Sequence, residues 1–401
     1  MRGVAGKILR VDLTNRKTSV DQPDEAFYRT YLGGAGFVSY FLLKEVPKGI
    51  DSLSPENKLI FALGPMTGLA MPGATRNCIG AKSPLTDGYS KSEVGGFWPM
   101  AVKKAGYDAI IVEGKASKPV YLLVTDEKVE IRDASHIWGK TCLETQDMIA
   151  AETGVKQIRT ASIGVAGEKL VRFACVMNDL KDAAGRGGLG AVMGSKNLKS
   201  IAAYGKLNPD VADPVKIREL TLFMNKNYYE LPIFGKSMHD VGTGEHSMML
   251  AGNEIGNMPS YNFGVNYFEG TAKVTANTTL NTYGVGMEAC AACGVRCKKV
   301  VKIGEPWNVD PRNGGPEYES LAALGPTCGV DDLARITKAN ELANLYGMDT
   351  ISLGVAIGFG MECFENEILN TRDTGGIELK FGNAEAMLQM VEQIARRQGI
   401  G

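Results

Sequence analysis

Residues 207–214, LNPDVADP, divide this 401-residue chain into two stretches with different hydrophobic periods. Two prolines and three acidic or amide residues suit neither a central strand nor a helix interior. Before this connection, strand-like runs at 7–13, 58–64, 108–114, 120–125, 128–132, 159–164, 172–177 and 200–205 are punctuated by glycine or proline and mostly carry β-branched residues. Helical segments interrupt them at roughly 25–44, 97–105 and 142–153. After the connection the pattern predicts helices over 214–230, 331–347, 350–366 and 384–398. In the second of these, Leu333, Ile336, Ala339, Leu342 and Ala343 share a face, and Gly347 supplies a stop. The expected fold class is α+β: a β-rich, sandwich-like base domain over 1–206, followed by a mainly α-helical domain over 214–401.

Composition narrows the function. Hydrophobic residues make up 44% and charged residues 22%, which suits a globular protein with a large core. A net charge of −1 without a basic stripe argues against a nucleic-acid partner. The longest nearly uncharged apolar run, LGVAIGFGM from Leu353, is too short to span a bilayer. The opening MRGVAGKILRVDL has no apolar leader core and alternates as a strand does. A cytoplasmic setting is expected, and there the eight cysteines are not a disulfide framework. Cys78, Cys142, Cys175, Cys328 and Cys363 stand in apolar or small-residue contexts and read as buried thiols.

Cys290, Cys293 and Cys297 are different. They form C-x2-C-x3-C within CAACGVRC, with alanines and a glycine between them. Clustered thiolates on a small-residue loop are the usual way a chain wraps an iron–sulfur cluster. A structural zinc site needs a fourth Cys or His, and His136, His239 and His246 are all distant in sequence. The cluster is the favoured reading; zinc and metal-free thiols stay open. Arg296, Lys298 and Lys299 either offset cluster charge or are simply solvated.

Three further stretches carry chemistry. DAAGRGGLGAVMGSKNLKSI (182–201) is dense in glycine and alanine around Arg186, and such turns present backbone N–H groups to anions. It matches neither a dinucleotide fingerprint nor a P-loop, so a polar-cofactor cradle and a tight structural turn are both open. GPMTGLAMPGATRNC (64–78) ends in Arg76, which suits a phosphate or a structural ion pair. SEVGGFW (92–98) sets Gly95 and Gly96 before a helix start, a second candidate nest. GPEYES (315–320) places Glu317 at another helix start, where it either caps the helix or serves as an acid–base group beside a metal.

Together with YLGGAGF (31–37) and YGMDTIS (346–352), these stretches resemble the tungsten-dependent aldehyde:ferredoxin oxidoreductases along the whole chain. The resemblance implies a tungsten (or molybdenum) bis-pterin cofactor on the base domain, a [4Fe–4S] cluster beside it, and room for a magnesium ion bridging the pterin phosphates. It implies an aldehyde substrate, and ferredoxin or an iron–sulfur electron-transfer subunit as electron acceptor, in a monomer or an oligomer. By matched positions, Arg76, Gly95, Gly96, Ala183, Ala184, Gly185, Arg186 and Gly187 contact the pterin and its phosphates. Asn344, Gly347 and Met348 match the family's D-x-x-G-L pterin motif. Cys290, Cys293 and Cys297 hold the cluster, and Glu317 handles the proton near the metal.

There are departures from the family pattern. Asn344 keeps an acceptor but loses the usual aspartate charge. Glu93 stands where an amide is common. No E-x-x-H pair supports a bridging iron. The fourth cluster ligand is expected from outside this chain, with Cys328 and Cys363 as core thiols. Two other readings are a same-fold tungsten enzyme that acts on a non-aldehyde substrate, such as an activated aromatic ring, and a non-catalytic iron–sulfur electron-transfer subunit.

Overall fold

The computed structural model describes residues 1–231 and 235–401. The chain forms two compact units. One comprises Met1–Asn225, Cys290–Gly294 and Tyr346–Met348; the other comprises Lys226–Ala289, Val295–Leu345 and Asp349–Gly401.

The first unit runs β1 (Ile8–Asp12), β2 (Lys17–Asp21), α1 (Glu25–Tyr31), α2 (Ala35–Glu45), β3 (Leu59–Leu63), β4 (Asn77–Lys82), β5 (Tyr89–Val94), α3 (Trp98–Lys104), β6 (Ala109–Glu113), β7 (Val120–Thr125), β8 (Val129–Asp133), α4 (Cys142–Thr153), β9 (Arg159–Ser162), α5 (Val165–Glu168), β10 (Val176–Asn178), β11 (Asp182–Ala184), α6 (Leu189–Ser195) and β12 (Leu198–Tyr204). One sheet is ordered β2-β1-β6-β3-β4-β5 and the other β11-β10-β9-β12-β7-β8. Each contains one parallel pair, β1 with β6 and β7 with β12.

Alternate residues of both sheets meet in one core. Leu9, Val11, Phe61, Leu63, Ile110 and Val112 come from the first sheet; Leu122, Val124, Ala161, Ile201 and Ala203 come from the second. Trp98 fills the space between them, and its Nε1 donates to the Ile201 carbonyl at 2.7 Å. The outer faces are also dry. Ile8, Ile60, Ala62 and Ile111 pack with Phe37, Val38 and Phe41 of α2. Tyr121, Leu123 and Ala202 pack with Ile149 of α4. The base is therefore a sandwich with helices on both outer faces. Its central strands read as unbroken apolar runs because both of their faces are buried. The expected single helix over 25–44 is two helices. Leu32 and Gly33 take positive φ, and a Cβ at Gly33 would stand 2.2 Å from the Leu63 carbonyl oxygen. The break lets Gly34 N donate to that oxygen at 3.0 Å, tying the turn to the end of β3.

α7 (Pro214–Asn227) leads into the second unit, which is helical as expected: α8 (Lys236–Val241), α9 (His246–Glu254), α10 (Ala276–Tyr283), the hairpin β13 (Gly284–Glu288) and β14 (Lys298–Val301), then α11 (Tyr318–Leu324), α12 (Leu333–Tyr346), α13 (Thr350–Glu365) and α14 (Ala384–Arg396). Leu321, Leu324, Ile336, Leu353, Ile357 and Met361 are buried here. Gly354 lets α13 pass against α11, since a Cβ there would come within 2.3 Å of the Ala323 carbonyl oxygen. Among the described residues no helix is long and apolar enough to cross a membrane.

Candidate functional site

The glycine-rich stretches converge in the first unit, where β5 at the edge of one sheet adjoins β11 at the edge of the other. In β5, Ser92 and Val94 are buried while Tyr89, Lys91 and Glu93 are exposed. β11 pairs with β10 in the register Val176↔Ala184, Met177↔Ala183 and Asn178↔Asp182. The turn after β11 is stitched to β5 and its neighbour: Arg186 N donates to Ser92 Oγ at 3.3 Å, and Ser83 Oγ donates to the Gly187 carbonyl at 2.8 Å. Gly187 has φ +85°, and a Cβ there would overlap Ser90 Oγ at 1.9 Å. Part of the glycine requirement is therefore structural. Ala183 and Arg186 are exposed along this seam, Gly185 is partly exposed, and Ala184 and Gly187 are buried.

Gly95 and Gly96 close β5. Arg76, which is exposed, immediately precedes β4, and Asn77 at the start of β4 pairs with Val94. Asn178 Nδ2 donates to Asn77 Oδ1 and to the Gly95 carbonyl, both at 2.9 Å. Asn77 Nδ2 and Asn178 Oδ1 are buried and have no partner among the described residues. Buried amide atoms are normally satisfied, so two orphans here mark a place where a polar group from elsewhere would fit. Asp179 accepts from Phe97 N at 2.9 Å. Burial pushes its carboxyl up to about 6, against the opposing pull of Arg159.

The cysteine loop meets the same seam. It spans the residues between β13 and β14, whose register pairs Glu288 with Lys298. Ala292 and Arg296 take positive φ, which bends the loop tightly, and Cys293 N donates to the Cys290 carbonyl at 3.1 Å. Cys290 Sγ lies 3.7 Å from Asp182 Oδ1. A Cβ on Gly95 would come within 2.7 Å of that sulfur. Cys290 and Cys293 belong to the first unit and Cys297 to the second. Among the described residues no group of three His, Cys, Asp or Glu is placed to hold a single metal ion. The donor set and the orphaned amides fit a thiolate-held cluster beside a flat group with a hydrogen-bonding edge.

Glu317 occupies a second place, within the helical unit. Gly315 N donates to the Lys299 carbonyl at 2.7 Å, and a Cβ on Gly315 would press on Val301 and Lys299, so only glycine lets this segment lie against β14. Glu317 is the residue before α11, yet its side chain does not cap the helix. Thr243 does: Tyr318 N donates to Thr243 Oγ1 at 2.9 Å, and that hydroxyl donates to Glu317 Oε2. Lys298 Nζ is 3.5 Å from Oε1, and Lys299 Nζ is 3.7 Å from Oε2. Burial alone would raise the Glu317 carboxyl; Lys299, Lys298 and the Thr243 hydroxyl outweigh it and hold the group below the ordinary carboxylate range. Lys299 is fully buried and donates to the carbonyls of Val241 and Thr243 at 3.3 and 3.0 Å.

The remaining predicted positions are spread. Gly347 and Met348 belong to the first unit, where Cys175 N donates to the Gly347 carbonyl at 2.8 Å and Met348 bridges Ala174, just ahead of β10. Asn344 belongs to the second unit and donates to the Asn313 carbonyl at 2.9 Å. Cys328 is a core thiol that burial pushes up to about 12. Cys363 is half-buried on α13. Sequence reasoning passed over Asn77, Asn178, Asp182 and Thr243. Only Asp182, which opens the glycine-rich stretch, and Asn77, which follows Arg76, carried any local signal.

Both halves of the chain are similar to known proteins. Residues 8–205 match the aldehyde ferredoxin oxidoreductase N-terminal domain, and residues 219–401 match domains 2 and 3 of the same family. A tungsten-containing aldehyde ferredoxin oxidoreductase from Pyrococcus horikoshii is 44% identical over 407 residues, covering 100% of this chain and 66% of the relative. The WOR-like subunit of an aliphatic sulfonate oxidoreductase from Pyrococcus furiosus is 33% identical, covering 99% of this chain and 65% of its own length. Among solved structures, the active-site complex BamBC of benzoyl coenzyme A reductase with 1,5-dienoyl-CoA superposes with a TM-score of 0.83 at 30% identity, covering 100% of this chain and 61% of that one. The chain thus spans about two thirds of the curated relatives it matches.

Proposed function

Because the chain belongs to the aldehyde ferredoxin oxidoreductase family, we propose that it oxidises an aldehyde to a carboxylic acid at a tungsten bis-pterin centre and sends the electrons through a [4Fe–4S] cluster to ferredoxin. The observation that carries this reading is the contact of Cys290 with Asp182 and the bare backbone of Gly95, which sets a cluster thiol against the glycine-rich seam. When bound, the tungsten–pterin group supplies a two-electron redox centre and the cluster a one-electron relay.

The chain's own residues do the rest. Gly95, Gly96 and the Ala183–Gly187 backbone form the shelf for the pterins, Arg76 reaches a phosphate, and Asn77 and Asn178 offer the free donor and acceptor. Gly347 and Met348 support the shelf from the Ala174–Cys175 side. Cys290, Cys293 and Cys297 hold three corners of the cluster. An aldehyde and one water give a carboxylic acid, two protons and two electrons. Glu317 Oε2, ionised and fixed by Thr243, accepts one proton; solvent takes the other, and two ferredoxins take one electron each. Metal analysis combined with aldehyde-dependent ferredoxin reduction tests this. Iron with neither tungsten nor molybdenum would point instead to a non-catalytic electron-transfer subunit.

A second reading is reduction of an activated aromatic ring, favoured by the likeness to the benzoyl coenzyme A reductase complex. Substrate-dependent oxidation of a reduced dye by benzoyl-CoA, with no aldehyde activity, would select it.

A further inference from the structure

The exit of the cysteine loop and the residue proposed to take up the proton meet at one short turn, residues 241–243, which follows α8. Gly242 takes φ +73° there, and a Cβ on it would collide with the Cys297 carbonyl oxygen and stand 3.0 Å from Lys299 Nζ. The turn therefore lies directly on the backbone that leaves the cysteine loop for β14, and only a glycine permits that approach. Lys299, two residues beyond Cys297, is fully buried at the same place. Its Nζ donates to the carbonyls of Val241 and Thr243 and stands 3.7 Å from Glu317 Oε2. One side chain thus grips both ends of the turn and faces the carboxylate.

Thr243 completes the connection. A threonine hydroxyl has one proton to give. Its oxygen accepts from Tyr318 N at 2.9 Å, which fixes the group, and its proton goes to Glu317 Oε2. A neutral donor held in this way favours the ionised carboxylate without adding a charge of its own. The other charged groups around Glu317 do not involve the turn. Lys298 of β14 is 3.5 Å from Oε1. Glu245, ahead of α9, and Glu319 of α11 border the same cavity, and Glu245 is occupied by Met248 N and Ser247 Oγ. The order in space is therefore Cys297 carbonyl, Gly242, Thr243, Glu317, with Lys299 bracing each step.

We propose that the Gly242 turn is a joint between the cysteine loop and Glu317, with Thr243 and Lys299 as positioning residues for the proton step. The loop sets the turn, the turn sets the Thr243 hydroxyl, and Thr243 with Lys299 sets the carboxylate. Iron held at Cys297 and the readiness of Glu317 are linked in consequence: a loop that has lost its metal is free to shift, and the base shifts with it. The proposal rests on the reading above, in which Cys297 is a cluster ligand and Glu317 the proton acceptor, and its test separates the two.

Infrared spectra of the purified, iron-loaded protein over a pH series follow the band of protonated carboxyl groups, and its loss in Glu317→Gln identifies the part that belongs to Glu317. In Thr243→Val, which keeps the side-chain shape and loses the hydroxyl, that band should appear about one pH unit higher, because a hydrogen bond to the ionised form is gone. The acid limb of kcat/KM should rise with it, and kcat should fall about tenfold or more with KM little changed. Thr243→Ser should restore all three. The joint itself is read by stripping the iron with a chelator. This should displace the Glu317 band in the unaltered protein and displace it less in Thr243→Val, where the last link is already cut; a purely electrostatic effect of the metal would act equally on both. A band unmoved in Thr243→Val, or not restored by serine, overturns the positioning role. Equal displacement on iron removal in the two proteins, or none in either, overturns the joint. The expected band shifts without turnover of any aldehyde would leave the joint standing and overturn the oxidase reading instead.

Discussion

Cys290 Sγ lies 3.7 Å from Asp182 Oδ1, with the bare Cα of Gly95 against the sulfur. A cysteine loop from late in the sequence thereby reaches a polar edge built by residues from its first half. As a thiol, Cys290 donates to that carboxylate; on the function proposed above, its deprotonated sulfur is instead a ligand of iron. Cys290→Ser should lower iron per chain and the broad visible absorbance of thiolate-to-iron charge transfer. Iron content and absorbance equal to those of the unaltered protein would remove Cys290 from the ligand set.

Gly95 tests the shelf separately from the sulfur. Alanine there would put a methyl 2.7 Å from Cys290 Sγ, a contact that backbone and loop must move to relieve. Gly95→Ala is expected to lose both iron and pterin while remaining folded. Gly304→Ala is the control, because a Cβ at Gly304 meets nothing within 4 Å. Full cofactor retention in Gly95→Ala would count against the seam as the pterin site.

How much of this was legible beforehand follows from which faces are buried. β3, β6 and β7 are buried throughout or nearly so, and their apolar runs announce them. The two strands that make the seam do not. β5 is YSKSEV, with one exposed face of Tyr89, Lys91 and Glu93, and β11 is only Asp182–Ala184. A strand whose free face is reserved for something else has no hydrophobic signal to give. The glycines and cysteines were readable because their chemistry is local. The Asn178–Asn77 pair joins residues 101 positions apart, and the Thr243–Glu317 pair joins residues 74 apart. Ordinary polar residues acquire such roles only through tertiary pairing. Glu317 shows the same limit: its place at a helix start was evident, but Thr243 took the capping task and left the carboxylate to the two lysines.

Asp179 predicts a pH dependence of stability. Burial raises its folded-state carboxyl to about 6 from an ordinary value of 3.8. The folded state therefore holds the proton more tightly than the unfolded chain. This contribution is fully present below the ordinary value and is lost as pH rises through about 6, amounting to at most about 3 kcal/mol at one pH unit per 1.4 kcal/mol. Asp179→Asn keeps the acceptor for Phe97 N and removes the titration. Denaturant unfolding at a series of pH values should show the unaltered protein losing stability relative to the variant between pH 4 and about 6. Parallel curves for the two proteins would refute the assignment.

Glu317 offers the sharpest test of the chemistry. Its carboxylate is held below the ordinary range by Lys299 and Lys298, with Thr243 fixing one oxygen. Such a group is a base at neutral pH, and its activity should fail only as pH drops through that depressed value, giving an acid limb displaced to low pH. Glu317→Gln keeps the shape and the Thr243 contact but cannot accept a proton. Turnover should fall by roughly 10²–10⁴, the usual worth of a positioned acid–base group. Iron and tungsten content should be retained, because none of the proposed cofactor-holding residues is altered. Removing the charge opposite two lysines should also cost about 1–3 kcal/mol of stability, which thermal unfolding can read independently of turnover. Glu317→Asp, which restores a carboxylate about one methylene short, should recover part of the rate and the acid limb. A Gln variant with normal turnover and full metal would show that the proton leaves by another route, and that Glu317 serves only to balance Lys298 and Lys299.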